Sequence, residues 1–296
     1  MENLLIIGCG DIARRALPEL RRRWRVAALV RSRNPVLADS GVELIEGDLD
    51  DRDSLSPLAG RAGLVAHFAP PTGTGAADLR TRNLLSALST STPQKSGAML
   101  PRRFVYLSTS GVYGDCEGEF VDETRPPNPK TERARRRLDA ERALVEWGAH
   151  WWGVEIVILR VPGIYASDRL PLERLRRGTP ALRPEEDVYT NHVHADDLAA
   201  IFVAALDSKH AWGVYNASDD SEMKMGDFFD LVADRAGLAR PPRVSRAEAA
   251  RVVPAELLSF MSESRRLVNG RMKAELGVRL RYPTVADGVP RITEPA

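Results

Sequence analysis

Short apolar runs, closed by glycine or charged turns and separated by amphipathic stretches, set the pattern of this chain. Leu4-Leu5-Ile6-Ile7 comes first. A continuous apolar run of that length suits a strand buried on both faces. Arg25–Val30, Val42–Ile45, Leu64–Phe68, Phe104–Leu107 and Glu155–Val161 repeat the pattern, the last almost wholly apolar and so expected to be central. Helix-like stretches fall at Arg14–Arg22, Thr81–Leu88 and Glu132–Ala149. Strands alternating with helices in this way predict an α/β fold with a parallel sheet and right-handed crossovers. Ser89–Pro101 and Asp115–Lys130 are polar and proline-broken and read as loops.

The turn after the first strand is Gly8-Cys9-Gly10-Asp11-Ile12-Ala13. Strand, glycine turn and helix form the context in which G-x-G-x-x-G/A carries meaning. Gly8 permits the tight turn, Gly10 lets backbone approach a pyrophosphate, and Ala13 lets the helix pack closely on the strand. The free N–H groups of the helix start would face the phosphates. Asp11 can cap that helix and complement its dipole, and is expected to point sideways. The alternative is a glycine turn that holds no nucleotide. The second strand ends in Arg31-Ser32-Arg33. A basic tip there suits a ribose 2′-phosphate, so NADP(H) is favoured over NAD(H); otherwise both arginines are solvated loop charges. Asp48 suits either the adenine amino group or a turn. Ala69 and Pro70, beyond the fourth strand, suit a backbone-lined cofactor wall.

Composition narrows the classes. The 296 residues carry a formal charge of +1, so no global field favours nucleic acid or a membrane surface. The basic runs Arg21-Arg22-Arg23 with Arg25, and Arg133 with Arg135-Arg136-Arg137, read as solvated helix faces. Cys9 and Cys116 make no disulfide framework, and neither a signal peptide nor a membrane-length apolar run is evident, so a cytoplasmic protein is expected. His192 and His194 would share one face of a strand, but no further ligand lies near, so a structural role is expected and no metal. Asp196 or Asp197 would cap a helix beginning at Leu198. Arg174, Arg176, Arg177 and Arg183 read as a charged surface or an anion contact. Trp147, Trp151 and Trp152 read as core or interface.

Five segments, in order, resemble the extended and atypical short-chain dehydrogenase/reductases, the superfamily of NAD(P)-dependent sugar epimerases and dehydratases. They are Gly8–Ala13, Gly47-Asp48-Leu49-Asp50, Tyr106–Gly114, Leu159–Tyr165 and His192–Leu198. The resemblance implies a doubly wound Rossmann-like sheet in residues 1–166, completed by about 190–217, where Val214-Tyr215-Asn216 returns to it. A smaller mixed substrate lobe would be built from 167–189 and 218–296. The resemblance further implies cofactor contacts from Gly8, Gly10, Asp11, Ile12, Arg31, Asp48, Leu49, Ala69, Pro70 and Pro162, a small-molecule substrate, and a homodimer interface on helices that include 132–149.

The superfamily's chemistry rests on Tyr-x-x-x-Lys with a nearby Ser or Thr. Thr109 matches the hydroxyl position, with Ser110 as its neighbour. The pair itself is absent: alignment puts Arg133 at the tyrosine and Arg137 at the lysine, and none of the six tyrosines is followed by lysine four residues later. Positions i and i+4 share a helix face. Arginine stays protonated and has no accepting lone pair, so it cannot cycle a proton as a phenol does. Arg137 could hold ribose hydroxyls and Arg133 an anionic ligand group; or both are solvated and the pocket is vestigial. Tyr113 and Tyr165, just past strand ends, are candidates for a displaced acid. His192, with Tyr165 and Arg133, is a candidate for substrate contact. Gly163 stands where the family often has an asparagine, so a sugar-nucleotide amide contact is lost. Two expectations follow: an NAD(P)-dependent oxidoreductase, epimerase or dehydratase with altered acid/base residues, or a dinucleotide-binding sensor without turnover.

Overall fold

Leu4 and Ile6 pack into one apolar cluster while Leu5 and Ile7 pack into another. Side chains on a strand alternate between faces, so the first strand lies in the middle layer of a three-layer structure. The computed structural model describes residues 1–32, 35–89, 100–151 and 153–292. Its sheet strands are β1 (Asn3–Ile7), β2 (Arg25–Val30), β3 (Glu43–Glu46), β4 (Leu64–His67), β5 (Arg103–Thr109), β6 (Glu155–Val161) and β7 (Gly213–Asn216). They lie in the order β7-β6-β5-β4-β1-β2-β3, and every pairing is parallel. The order reverses between β1 and β4, which opens a crevice at the carboxyl ends of those strands.

Helices cover both faces. On one, α1 (Asp11–Arg23) packs with α4 (Ala195–Asp207); on the other, α2 (Leu79–Leu88) packs with α3 (Glu132–His150). The helix α1 buries Ile12, Ala13, Ala16, Leu17 and Leu20, a stripe at helical spacing. A third cluster, with Leu182, Val188, Phe228, Phe229, Val232 and Val285, is the core of the smaller lobe. Tyr165 belongs to it. Met272 and Leu276, by contrast, pack into the main core from the helix Gly270–Leu276, so the end of the chain returns to the large domain.

Local readings change at four places. Asp115–Lys130 contains the strand Phe120–Val121, paired with Arg266–Leu267 far along the chain, a partner that local pattern does not reveal. Neither Asp196 nor Asp197 caps α4: His194 does, its Nδ1 accepting from the Asp196 N–H at 3.2 Å. Asp197 instead accepts from the N–H groups of Arg281 and Tyr282, both at 2.8 Å, and so holds the C-terminal segment. The Arg133–Arg137 run is not a uniformly solvated face, because Arg136 is buried and donates to the Gly75 carbonyl at 2.7 Å. Trp147 packs edge-on to Phe104 and donates to Ser89 Oγ, a core role; Arg33 and Trp152 fall outside the described residues.

Beneath the carboxyl edge lies a buried ion pair. Arg160 of β6 donates to Glu141 of α3 at 2.7 Å, and Ser108 Oγ of β5 donates to the same carboxylate. Both charged side chains are about 5 % exposed or less. Removing one partner of such a pair strands the other charge in a poor solvent. Glu141→Ala is therefore expected to cost about 3–5 kcal/mol in urea unfolding. The double variant Glu141→Leu/Arg160→Met should recover most of that loss.

Candidate functional site

The glycine turn is built for close approach. Gly8 has φ +86°, and a Cβ there would come within 2.6 Å of the Ala69 backbone nitrogen. No side chain can replace it without moving β4 away from β1. Gly10 differs: it is the residue before α1, its φ is −80°, and a Cβ there would meet nothing within 4 Å. The chain itself does not require glycine at position 10, whereas a phosphate lying on the helix start would. No side chain caps α1, so its first N–H groups are left to a ligand.

Asp11 turns sideways. Its carboxylate takes hydrogen bonds from Arg15 Nε at 3.0 Å and Arg169 Nη1 at 2.8 Å. Partial burial opposes ionisation, but these guanidiniums hold the carboxyl below its ordinary range. Asp11 does not cap α1 with its side chain; its charge is balanced laterally.

A cavity of about 390 Å³ opens beside this turn, at the ends of β1, β2, β3 and β4. Gly8, Arg31, Asp48, Leu49, Ala69 and Pro70 all line it. Arg80, which the sequence reading missed, lines it too. Arg80 forks onto the Asp50 carboxylate at 2.8 and 2.6 Å and reaches the Pro70 carbonyl at 3.3 Å. It thereby ties the turn after β3 to the wall after β4.

A second cavity of about 540 Å³ lies at the ends of β5 and β6, under the smaller lobe. Thr109, Ser110, Arg133 and Pro162 line it, with Arg169, Tyr189, Asn191, Phe260 and Arg265. Pro162 thus sits at this cavity rather than the first. Thr109 Oγ1 accepts from the Gly111 N–H at 3.2 Å, an arrangement that fixes the hydroxyl at the tip of β5 while its proton can be donated. The guanidinium carbon of Arg133 stands 4.3 Å from the centre of the Phe260 ring.

The remaining sequence candidates are placed elsewhere. Arg137 does not line this cavity; it donates to Tyr106 Oη at 3.0 Å and to the Leu107 carbonyl at 2.7 Å. Tyr113 is buried and donates to Asn216 Oδ1 at 2.8 Å, and burial pushes its phenol up. Tyr165 is buried against the smaller lobe and donates to the Thr284 carbonyl at 3.1 Å, its phenol likewise pushed up by burial. His192 stacks on Phe228 with ring centres 4.3 Å apart, and burial pushes it down to about 3. These three side chains turn away from the cavity because the strand tips carrying them are covered by later segments. Neither Tyr113 nor Tyr165 is presented to a ligand there. Arg174 packs 3.9 Å over the Phe229 ring. The residues missed by sequence, Tyr189, Phe260, Glu263 and Arg265, come from segments without a recognisable period; only the aromatic and arginine content of 260–266 could have drawn notice.

The family profile described as the NAD dependent epimerase/dehydratase family matches residues 4–218. The chain belongs to that family. It is similar to a GDP-6-deoxy-D-mannose reductase from Pseudomonas aeruginosa, 29% identical over 221 residues that cover 68% of this chain and 70% of the relative. It also resembles Protein YeeZ of Escherichia coli, 26% identical over 96% of this chain and 97% of that one. Among solved structures, a putative NAD-dependent epimerase/dehydratase from Methylobacillus flagellatus superposes with a TM-score of 0.72 at 28% identity, over 97% of this chain and 96% of the other. The Rossmann-like sheet is thus that of an NAD-dependent family. No helix among the described residues is long and apolar enough to cross a membrane.

Two measurements test this geometry. Gly10→Asp should leave the thermal midpoint nearly unchanged, because the site is open, yet lower dinucleotide affinity by about 100-fold or more through bulk and like charge. Gly8→Ala should instead destabilise the fold, by about 1–3 kcal/mol. The second measurement concerns Asp219, beyond β7, whose Oδ2 has no protein partner and whose carboxyl is pushed by burial up to about 7. Its folded value exceeds the unfolded one, so stability is full near pH 4 and falls as pH rises through 7, by about 4 kcal/mol at most. Asp219→Asn should flatten that fall in urea midpoints compared at pH 5 and pH 8.

Proposed function

We propose that this chain binds NADP(H) in the crevice around the glycine turn and acts as an oxidoreductase or epimerase on a small carbonyl or sugar-like substrate in the second cavity. The observation that carries the reading is the open space at Gly10, beside an uncapped helix start and a cavity holding Asp48 and Arg31. Arg31 and Ser32 at the end of β2 offer a cation and a hydroxyl where a ribose 2′-phosphate would lie, and β2 carries no carboxylate there to prefer a free 2′-hydroxyl. The bound dinucleotide supplies hydride transfer. The protein's part is to hold the substrate oxygen at Thr109 and Ser110, the hydroxyl pair at the tip of β5. The relation to a GDP-6-deoxy-D-mannose reductase supports carbonyl reduction as the chemistry.

A second reading, a dinucleotide-binding sensor without turnover, rests on Arg133. It stands where the family keeps its acid, and a guanidinium cannot release and regain a proton near neutral pH. Turnover of any carbonyl substrate would sink that reading.

Titration calorimetry of nucleotide-free protein with NADPH and NADH tests the cofactor assignment. NADPH is expected to bind at least about tenfold more tightly, a difference of about 1.4 kcal/mol. Arg31→Ala should erase that preference and leave NADH affinity nearly as it was. Equal binding of both nucleotides by the unaltered protein would overturn the NADP(H) assignment, and binding of neither would overturn the reading as a whole.

A further inference from the structure

We infer that Arg80, paired with Asp50, is a positioning residue that sets the separation of the two walls of the first cavity and so makes it selective for adenine; this rests on the reading of that cavity as the dinucleotide site. One wall is the turn after β3, with Asp48 and Leu49, and the other is the run after β4, with Ala69 and Pro70. In the sheet β1 and β2 stand between β3 and β4, so no backbone ladder joins the two walls. The Ala69 N–H still reaches the Ile7 carbonyl at 3.0 Å, but Pro70 and Pro71 have no N–H with which to hold the run further. Arg80 supplies the missing tie. Its guanidinium forks onto Asp50 at 2.8 and 2.6 Å and donates to the carbonyls of Pro70 at 3.3 Å and Pro71 at 3.4 Å.

The tie is anchored in the core. Arg80 lies in the first turn of α2, where Asp78 caps the helix by accepting from the Arg80 N–H at 3.1 Å. Asp78 is buried, takes a hydrogen bond from Thr81 Oγ1 at 2.6 Å and donates its own N–H to Asp139 of α3 at 2.8 Å. Asn83, three residues on and so on the same face of α2, donates to the Leu49 carbonyl at 2.9 Å. One helix face thus grips both walls. What it positions is Asp48, whose Oδ1 accepts from the Asp50 N–H at 3.0 Å, so the carboxylate is oriented by the residue that Arg80 holds. A carboxylate accepts several hydrogen bonds. With Asp48 lining the cavity, the donor that suits it is the exocyclic amino group of adenine, where hypoxanthine carries an oxygen acceptor instead.

The test is titration calorimetry of the full, nucleotide-free chain with NADPH and with its reduced hypoxanthine analogue, read beside the thermal midpoint of each variant. The unaltered protein should bind NADPH at least about tenfold more tightly than the analogue, the worth of one hydrogen bond to a charged acceptor. Arg80→Gln should cut that ratio at least about threefold. Asp50→Asn, a change at a half-exposed side chain that the fold tolerates, should cut it by a similar factor. The double variant should lose no more than either single one, because the two side chains act as one tie. Arg80→Lys should keep part of the ratio, since an ammonium reaches Asp50 but cannot fork across to the carbonyls. A ratio that stays unchanged in Arg80→Gln and Asp50→Asn, even where both affinities or the midpoint fall, would reduce Arg80 to a structural role and overturn the inference. Equal binding of both nucleotides by the unaltered protein would overturn it too, and leave the dinucleotide reading standing. Binding of neither would sink that reading and the inference with it.

Discussion

The arrangement of the whole carboxyl edge depends on one buried ion pair, Arg160 with Glu141. Arg160 belongs to β6 and Glu141 to α3, so the pair fixes the helix that carries Arg133 and Arg137 against the sheet. Ser108, the residue before Thr109, donates to the same carboxylate. On its other side the Arg160 guanidinium lies 4.6 Å from the centre of the Tyr113 ring. Tyr113 donates to Asn216 at the end of β7, and Asn216 donates to the Val121 and Val268 carbonyls beside the Phe120–Val121 and Arg266–Leu267 strand pair. A single polar network thus runs beneath the second cavity from α3 to the strands that hold the smaller lobe. Burying so much polarity is worthwhile for position rather than for stability, since an apolar replacement of similar volume would often hold the fold as well.

That network explains why Arg133 and Arg137, four residues apart on α3, are unlike. Arg137 is drawn to β5, where the Leu107 carbonyl and Tyr106 Oη satisfy it; burial pushes the Tyr106 phenol up to about 12, so it stays a neutral partner. Arg133, one turn nearer the start of α3, lines the second cavity and lies against the lobe's Phe260 ring. Of the two arginines, one is bound into the sheet and the other lines a cavity. Helical periodicity puts both on one face, but depth along the helix decides which reaches the sheet.

The legible part of the chain was the part with a period. Six of the seven sheet strands followed from apolar runs and β7 from the family resemblance, and Gly8, Arg31, Asp48, Ala69 and Pro70 followed from their places at strand ends, because in a parallel sheet those ends converge on one edge. Thr109, Ser110 and Arg133, named from motif, line the second cavity. Tyr113, Tyr165 and His192 do not, although they too stand near the carboxyl edge of the sheet. Their orientation is set by the partners that cover them, Asn216, Thr284 and Phe228, which lie 36 to 119 residues further along the chain and carry no local signal toward them. The same lack of signal hid Phe260 and Arg265, which reach the cavity only because Arg266–Leu267 pairs with Phe120–Val121.

Electrostatics joins the two cavities. Asp11 sits in the turn where a pyrophosphate would lie, and a free carboxylate there would repel it. Arg15 and Arg169 both bind Asp11, and Arg15 also bridges Asp168 and Asp196, so the turn, α1, α4 and the start of the lobe insertion share one alternating set of charges. Arg169 is the member that also lines the second cavity. Its charge is divided between the glycine turn and the second cavity. A residue that stands in both environments belongs to neither alone, and the segment beginning at Ser167 is better understood as the electrostatic link between them than as part of either lobe.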